Sequence, residues 1–315
     1  MTTTSAAHVN CASHFDETQT TVIRVFTLIS ASLSVLGASF IVLSYVFFQR
    51  LRTFPFKLIV FLSIADFFAA SSYILGLAGD KQGMVCSTAF NCYFTACLSQ
   101  YFDVATFLWT SVVAYNIYLV LVRNVGREVE AYESLYHGIT WGVSFTLMIV
   151  VAFSGGYGDA GLWCWVKPTF PLVQFFCYYI VLILAFAFQA TILFSVVLHV
   201  RSDPSSAASA NKVTMRLLSY LLVFFFVRCW SVFDRINDAA SGGQAVFGLA
   251  LLHSFFSPLQ GFCNAIVYGL TTASVSDEWR TMIRKKCGCR SPGEHDILYN
   301  DTLEEELGSE MHAIR

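Results

Sequence analysis

A chain of 315 residues that is 56% hydrophobic and 13% charged, with a mean hydropathy of +0.61, cannot clothe a soluble domain, which needs about 25% charged residues. Its net charge of −2 leaves no basic excess for nucleic acid. Composition therefore points to a membrane protein.

Residues 1–21 are polar and include His8, His14, Asp16 and Glu17. They lack the basic start, short apolar core and small-residue cleavage site of a signal peptide, so the first span is expected to direct insertion itself. A membrane helix needs about 20 mostly apolar residues. Seven segments qualify, at roughly 22–48, 57–78, 92–122, 138–155, 170–200, 213–238 and 245–270. The linkers are short and polar, no soluble domain is inserted, and no internal repeat stands out. The fold class expected is an all-α membrane protein, a seven-transmembrane helix bundle.

Lys and Arg gather on the cytoplasmic side of a membrane protein. With the N-terminus outside, 14 of the 19 Lys and Arg fall inside and four outside, leaving Arg228 within a span. This predicts a multi-pass plasma-membrane protein with an extracellular N-terminus and a cytoplasmic C-terminus. After the seventh span, SVSDEWRTMIRKKCGC places Val275, Trp279, Met282 and Ile283 on one helical face, the pattern of a short amphipathic eighth helix on the inner leaflet. The organisation expected is an N-terminal tail over 1–21, a bundle over 22–274, a membrane-surface helix over 275–290 and a disordered cytoplasmic tail over 291–315. Cys287 and Cys289 follow the surface helix, where S-palmitoylation would add an anchor; two unmodified thiols are the plainer reading. The glycosylation pattern at Asn300 lies on the cytoplasmic tail and is set aside. Among ten cysteines there is no CxxC and no Cys/His cluster of zinc spacing, and no cofactor or catalytic constellation is expected.

An ionisable group at the centre of a bilayer costs about 2.5–3.5 kcal/mol, so each one needs a reason. Asp66 lies in the second span, Asp103 in the third, Arg228 in the sixth, and His253, Gln260 and Asn264 in the seventh. One reading is a polar network through the bundle. Asp103 and Arg228 would pair at the floor of an outer cavity, with Trp230 and His253 beside them. Asp66, Gln260, Asn264 and Tyr268 would form a deeper switch on the inner half. The plainer reading is static helix–helix glue, worth about 0.6 kcal/mol per contact. In SPLQGFCNAIVYG, Pro258 removes a backbone hydrogen bond and bends the seventh helix, Gly261 admits a close neighbour, and Gln260 and Asn264 offer amides to freed backbone groups or waters.

Seven spans, an outer N-terminus and an eighth amphipathic helix resemble a G-protein-coupled receptor. Leu62-Ser63-Ile64-Ala65-Asp66 in the second span and Trp141 in the fourth sharpen the resemblance. The rhodopsin-like pattern is absent in several places. Asn116-Ile117-Tyr118 stands at the inner end of the third span, no proline follows Cys229-Trp230 by two residues, the fifth span has no mid-helix proline, and none separates Asn264 from Tyr268. The chain is closer to the cyclic-AMP-receptor-like class, the slime-mould chemoattractant receptors with their plant and animal relatives. Trp163-Cys164-Trp165, Arg228-x-Trp230-Ser231, Leu259-Gln260-Gly261 followed by Asn264, and FLWTSVVAYNIYLVLVR over 107–123 carry that likeness, which extends over about residues 22–290.

What the resemblance implies is signalling to a heterotrimeric G protein in response to a small extracellular ligand. It also implies a disulfide from Cys92 to Cys164, with Cys86 the rival to Cys92 and a second bridge between Cys11 and Cys86 conceivable. The ligand does not transfer. The phosphate of cyclic AMP would want Arg228, Arg235, Lys167 or Lys81, and Asp103, Asp234 and Asp238 in the same region oppose an anion. Two other classes compete. A transporter would use the same intramembrane carboxylates, but its repeats and further broken helices are missing. An enzyme would have only His253 with Asp103. A retinal protein is excluded by the lack of lysine over 245–270.

Overall fold

The computed structural model describes residues 15–78, 89–123, 125, 127–202, 207–241, 244–271 and 273–286. Cys11, Cys86, Cys287, Cys289, Lys81 and Asn300 lie outside them, and with them the readings on a second bridge, lipidation and the C-terminal tail.

Seven helical segments form the bundle. α1 is Glu17–Phe47, α2 Phe54–Ala78, α3 Ala89–Leu121 and α4 Glu133–Phe153. α5 runs from Pro171–Gln174 through a π turn, Phe175–Tyr179, into Ile180–Ser202. α6 is Ala207–Ala240. α7 is two pieces, α7a Phe247–Phe256 and α7b Gln260–Thr271, joined by the 3-10 turn Ser257–Leu259. A last helix, α8, is Ala273–Lys286.

α1 starts five residues before the first apolar position because Asp16 caps it. The Asp16 carboxylate accepts from the Gln19 N–H at 2.7 Å, and Gln19 Oε1 accepts from the Asp16 N–H at 3.4 Å, a reciprocal capping box. Among the described residues five helices, α1 to α5, are long and apolar enough to cross a membrane. α6 carries Lys212, Arg216, Arg228, Asp234, Arg235 and Asp238, and α7 is broken at Pro258, so neither reads as a continuous apolar rod. α3 is the axis of the bundle, packing on α2, α4, α5 and α6.

Polarity is inverted relative to a soluble protein. Asp103 and Arg228 are each 1% exposed, whereas Phe153 is 88% exposed and Leu36, Phe194 and Leu172 also face outward. Charges inside and large apolar side chains outside suit lipid as the solvent. The chain is a multi-pass membrane protein.

The all-α expectation misses one feature. Between α4 and α5, Tyr157–Asp159 (β1) and Cys164–Val166 (β2) form an antiparallel hairpin in the register Tyr157↔Val166. Gly161 turns it at φ +99°, a conformation open to glycine, and its N–H donates to Asp159 Oδ1 at 2.8 Å. A disulfide joins Cys164 on β2 to Cys92 on α3. At the other end of the bundle, α8 docks on α1: Trp279 packs on Phe40 and Phe48, and its Nε1–H donates to Ser44 Oγ at 2.8 Å. Val275 is buried and Ile283 is left exposed.

The break in α7 meets α1 at close range. A Cβ on Gly37 would lie 2.7 Å from the Phe262 Cα, and one on Gly261 would lie 2.6 Å from Ser34 Oγ. Ser34 Oγ instead accepts the Gly261 N–H at 2.9 Å, giving a side-chain partner to an amide at the start of α7b. The expected result is that Gly37→Ala forces the backbones apart and destabilises the fold by about 1–3 kcal/mol. Gly138→Ala on α4, where a Cβ meets nothing within 4 Å, is expected to be neutral or stabilising by up to about 1 kcal/mol. Thermal melts in detergent compare the two.

Candidate functional site

Three tiers of buried polar groups run through the bundle from the hairpin end toward α8. The middle tier is built around Arg228 on α6. Its Nη2–H donates to Asp103 Oδ1 on α3 at 2.9 Å, its Nε–H to Gln260 Oε1 on α7b at 2.9 Å, and its Nη1–H to the Tyr178 hydroxyl on α5 at 3.4 Å. The guanidinium lies over the Phe107 ring, 4.9 Å from its centroid. The second oxygen of Asp103 accepts from the Tyr73 hydroxyl on α2 at 2.8 Å. One cation thus links α3, α5, α6 and α7, and Asp103 extends the link to α2. A buried charge is tolerated only when its hydrogen bonds are satisfied.

The tier toward α8 centres on Asp66. Asn264 Nδ2–H donates to Asp66 Oδ2 at 2.8 Å, and the Thr106 hydroxyl donates to Oδ1 at 3.1 Å. The tier nearest the hairpin pairs His253 Nδ1 with Asp234 Oδ2 at 2.8 Å. The Trp163 ring from the hairpin stands edge-on to His253 at 5.0 Å. Alongside, Arg235 donates to the Tyr179 hydroxyl at 3.2 Å and to Asp238 at 2.9 Å.

Between the first and middle tiers lies a cavity of about 20 Å³, whose walls include Tyr73, Asp103, Trp163, Trp165, Tyr178 and His253. That is room for a water molecule. The π turn of α5 helps build it by burying Cys177, Tyr178 and Tyr179 in succession. The Cys177 carbonyl accepts from Gln100 Nε2 at 2.8 Å, and Gln100 Oε1 accepts from Trp165 Nε1 at 2.9 Å. π turns often sit at functional sites.

The structure brings together Asp103 with Arg228, and Asp66 with Asn264. It divides the remaining candidates differently from the sequence reading. Gln260 bonds Arg228 rather than joining Asp66, because it faces α6 while Asn264, one turn on, faces α2. Both amides meet side chains, and the Gly261 N–H donates to Ser34. Tyr268 stacks flat on Phe56, with centroids 4.5 Å apart, in the cluster near α8. Trp230 is not at the cavity. It packs against Phe226, Phe233 and Phe256 on the lipid-facing side of α6 and α7, since two positions along a helix from Arg228 is nearly the opposite face. His253 partners Asp234 rather than Asp103. Tyr73, Thr106 and Tyr178 escape sequence reasoning. The first two had a signal, because Tyr73 follows Asp66 by seven residues and Thr106 follows Asp103 by three, each on the same helical face.

A multi-pass helical bundle with a buried ion pair linking its helices and a disulfide-tethered hairpin over one end is the class of protein defined by this geometry. The family model described as slime mold cyclic AMP receptor matches residues 14–283, and the chain belongs to that family. It is similar to G-protein coupled receptor 1 of Arabidopsis thaliana, at 28% identity over 258 residues, 78% of this chain and 76% of the relative. Cyclic AMP receptor-like protein A of Dictyostelium discoideum is 25% identical over 274 residues, 86% of this chain and 71% of the relative. G-protein coupled receptor 157 of Mus musculus is 28% identical over 295 residues, 84% of this chain and 86% of the relative.

Removing one partner of a buried ion pair is destabilising by about 3–5 kcal/mol, while replacing both with apolar groups is often tolerated. Arg228→Met and Asp103→Leu are each expected to lower the melting temperature of purified protein sharply. The double variant should be more stable than the sum of the two losses, and a double-mutant cycle on thermal melts measures that coupling.

Proposed function

We propose that this protein is a G-protein-coupled receptor of the plasma membrane, with its N-terminus and hairpin outside and α8 on the cytoplasmic leaflet. The bias of Lys and Arg toward the α8 end supports the orientation. The observation that carries the proposal is the pairing of an Arg228-centred tier with a break in α7. Gln260 and Asn264, one turn apart on α7b, hold two different partners on α6 and α2.

In this reading an extracellular ligand reaches Asp103 and His253 from the hairpin side and changes how Arg228 shares its donors. If Gln260 is released, α7b is free to move at Ser257–Leu259, and the Asn264–Asp66 contact registers the movement nearer the cytoplasm. Asp66, Asn264 and Gln260 form the switch; Tyr268, on Phe56, reports to α8. The ligand acts only through its different affinity for the two arrangements. Cys92 and Cys164 hold the hairpin that covers the entrance. Arg50, Arg52 and Arg123 at the cytoplasmic ends are the surface offered to the G protein, and palmitoyl groups on Cys287 and Cys289 would anchor the end of α8.

Purified receptor in lipid discs tests this by nucleotide exchange on a panel of G-protein α subunits, with and without a small-metabolite panel that includes cyclic AMP. Exchange above a receptor-free control supports the proposal; none across the panel from folded protein, with any metabolite, sinks it. Asp66→Asn keeps the shape and the Asn264 neighbour, and is expected to leave surface expression intact while changing the exchange rate. Unchanged exchange would remove Asp66 from the switch.

A further inference from the structure

We propose that the cavity beneath the hairpin takes a small organic cation, an amine or quaternary ammonium, rather than a phosphate. The inference rests on the receptor reading for its consequence, and on the cavity wall for its chemistry.

No Lys or Arg is among the residues lining the cavity. Arg228 and Arg235 stand behind the wall, where Arg228 donates to Asp103, Gln260 and Tyr178 and Arg235 to Tyr179 and Asp238. The Asp103–Arg228 pair is therefore a dipole whose carboxylate end borders the cavity and whose guanidinium end does not. Five aromatic rings complete the wall, Tyr73, Trp163, Trp165, Tyr178 and Tyr179. Aromatic rings beside a carboxylate are the surroundings that attract a desolvated cation, and an anion there would find no Lys or Arg on the cavity wall itself. The His253 ring, bonded to Asp234 through Nδ1, leaves Nε2 as a second polar contact for a ligand amine. Ser257, 3% exposed, also borders the cavity, and its hydroxyl has no hydrogen-bond partner among the described residues. Ser257 opens the turn that breaks α7, so a ligand engaging it touches the hinge directly.

Size supplies the remaining argument. A second space of about 30 Å³ shares Thr27, Tyr73, Ser99 and Trp163 with the first. Trp163, next to Cys164 on the hairpin, borders both. In the proposal a change of its rotamer joins the two spaces, and the joined space holds an occupant larger than water.

The test is calorimetric titration of the full chain in lipid discs with phenethylamine, its neutral counterpart phenethyl alcohol, its anionic counterpart hydrocinnamate, and cyclic AMP. The amine is expected to bind at least about tenfold more tightly than the other three. Trp163→Leu, on the hairpin outside the helices, is expected to weaken the amine by about tenfold and leave the neutral probe little changed. Asp103→Asn should abolish the preference for charge; if that variant does not fold, the charge series and Trp163→Leu decide the matter. Tighter binding of hydrocinnamate or cyclic AMP, or no amine binding by about 1 mM, overturns the proposal. Because binding is read without a G protein, an amine that binds without exchange faults the receptor reading alone. Exchange driven by an anion faults the ligand class alone.

Discussion

An arginine in the middle of a lipid-facing bundle has to be surrounded, and the rest of this molecule is arranged to do so. Arg228 has five N–H donors and no way to shed its charge. α3 brings a carboxylate, α7 an amide oxygen, α5 a hydroxyl and an aromatic face comes from Phe107. Tyr73 then holds the other oxygen of the carboxylate. Each group fixes the rotation of the helix that bears it. The π turn in α5 belongs to the same arrangement, since it buries Tyr178 beside Arg228 and Tyr179 beside Arg235, two successive residues on one inward surface.

The second constraint is the break in α7. A proline in mid-helix has no N–H to donate, and three residues on the Gly261 N–H donates to Ser34 Oγ on α1. That contact exists only because Gly37 and Gly261 let the two backbones touch. α1 is thus tied to the most irregular point of the bundle. The two amides of α7b diverge by one turn, and this divergence couples the α6 side to the α2 side.

Much of this was legible in sequence because lipid punishes misplaced charge. Asp66, Asp103 and Arg228 stand out in apolar runs without any structural knowledge, and SPLQGFCN announces an irregular helix. Partner choice was legible only in part. Gln260 goes to Arg228 and not to Asp66 because of a rotation set by the 3-10 turn, which no periodicity encodes. Trp230 shares a short motif with Arg228, yet motif neighbours two positions apart face away from each other on a helix. The hairpin was invisible because strands of three residues are too short to show alternation. Tyr73 and Thr106 were within reach of a helical-spacing argument applied outward from each carboxylate.

The order of synthesis gives the Ser34–Gly261 contact a further meaning. These residues are separated by 227 positions and belong to the first and last spans. Arg228 likewise lacks Gln260 until the last span arrives. A chain stopped before α7 would hold α1 with an open groove at Gly37 and α6 with an incompletely bonded cation in the bilayer. The seventh span therefore supplies the last groups that close the bundle, and without it the Gly37 face of α1 and one donor of Arg228 lack their partners.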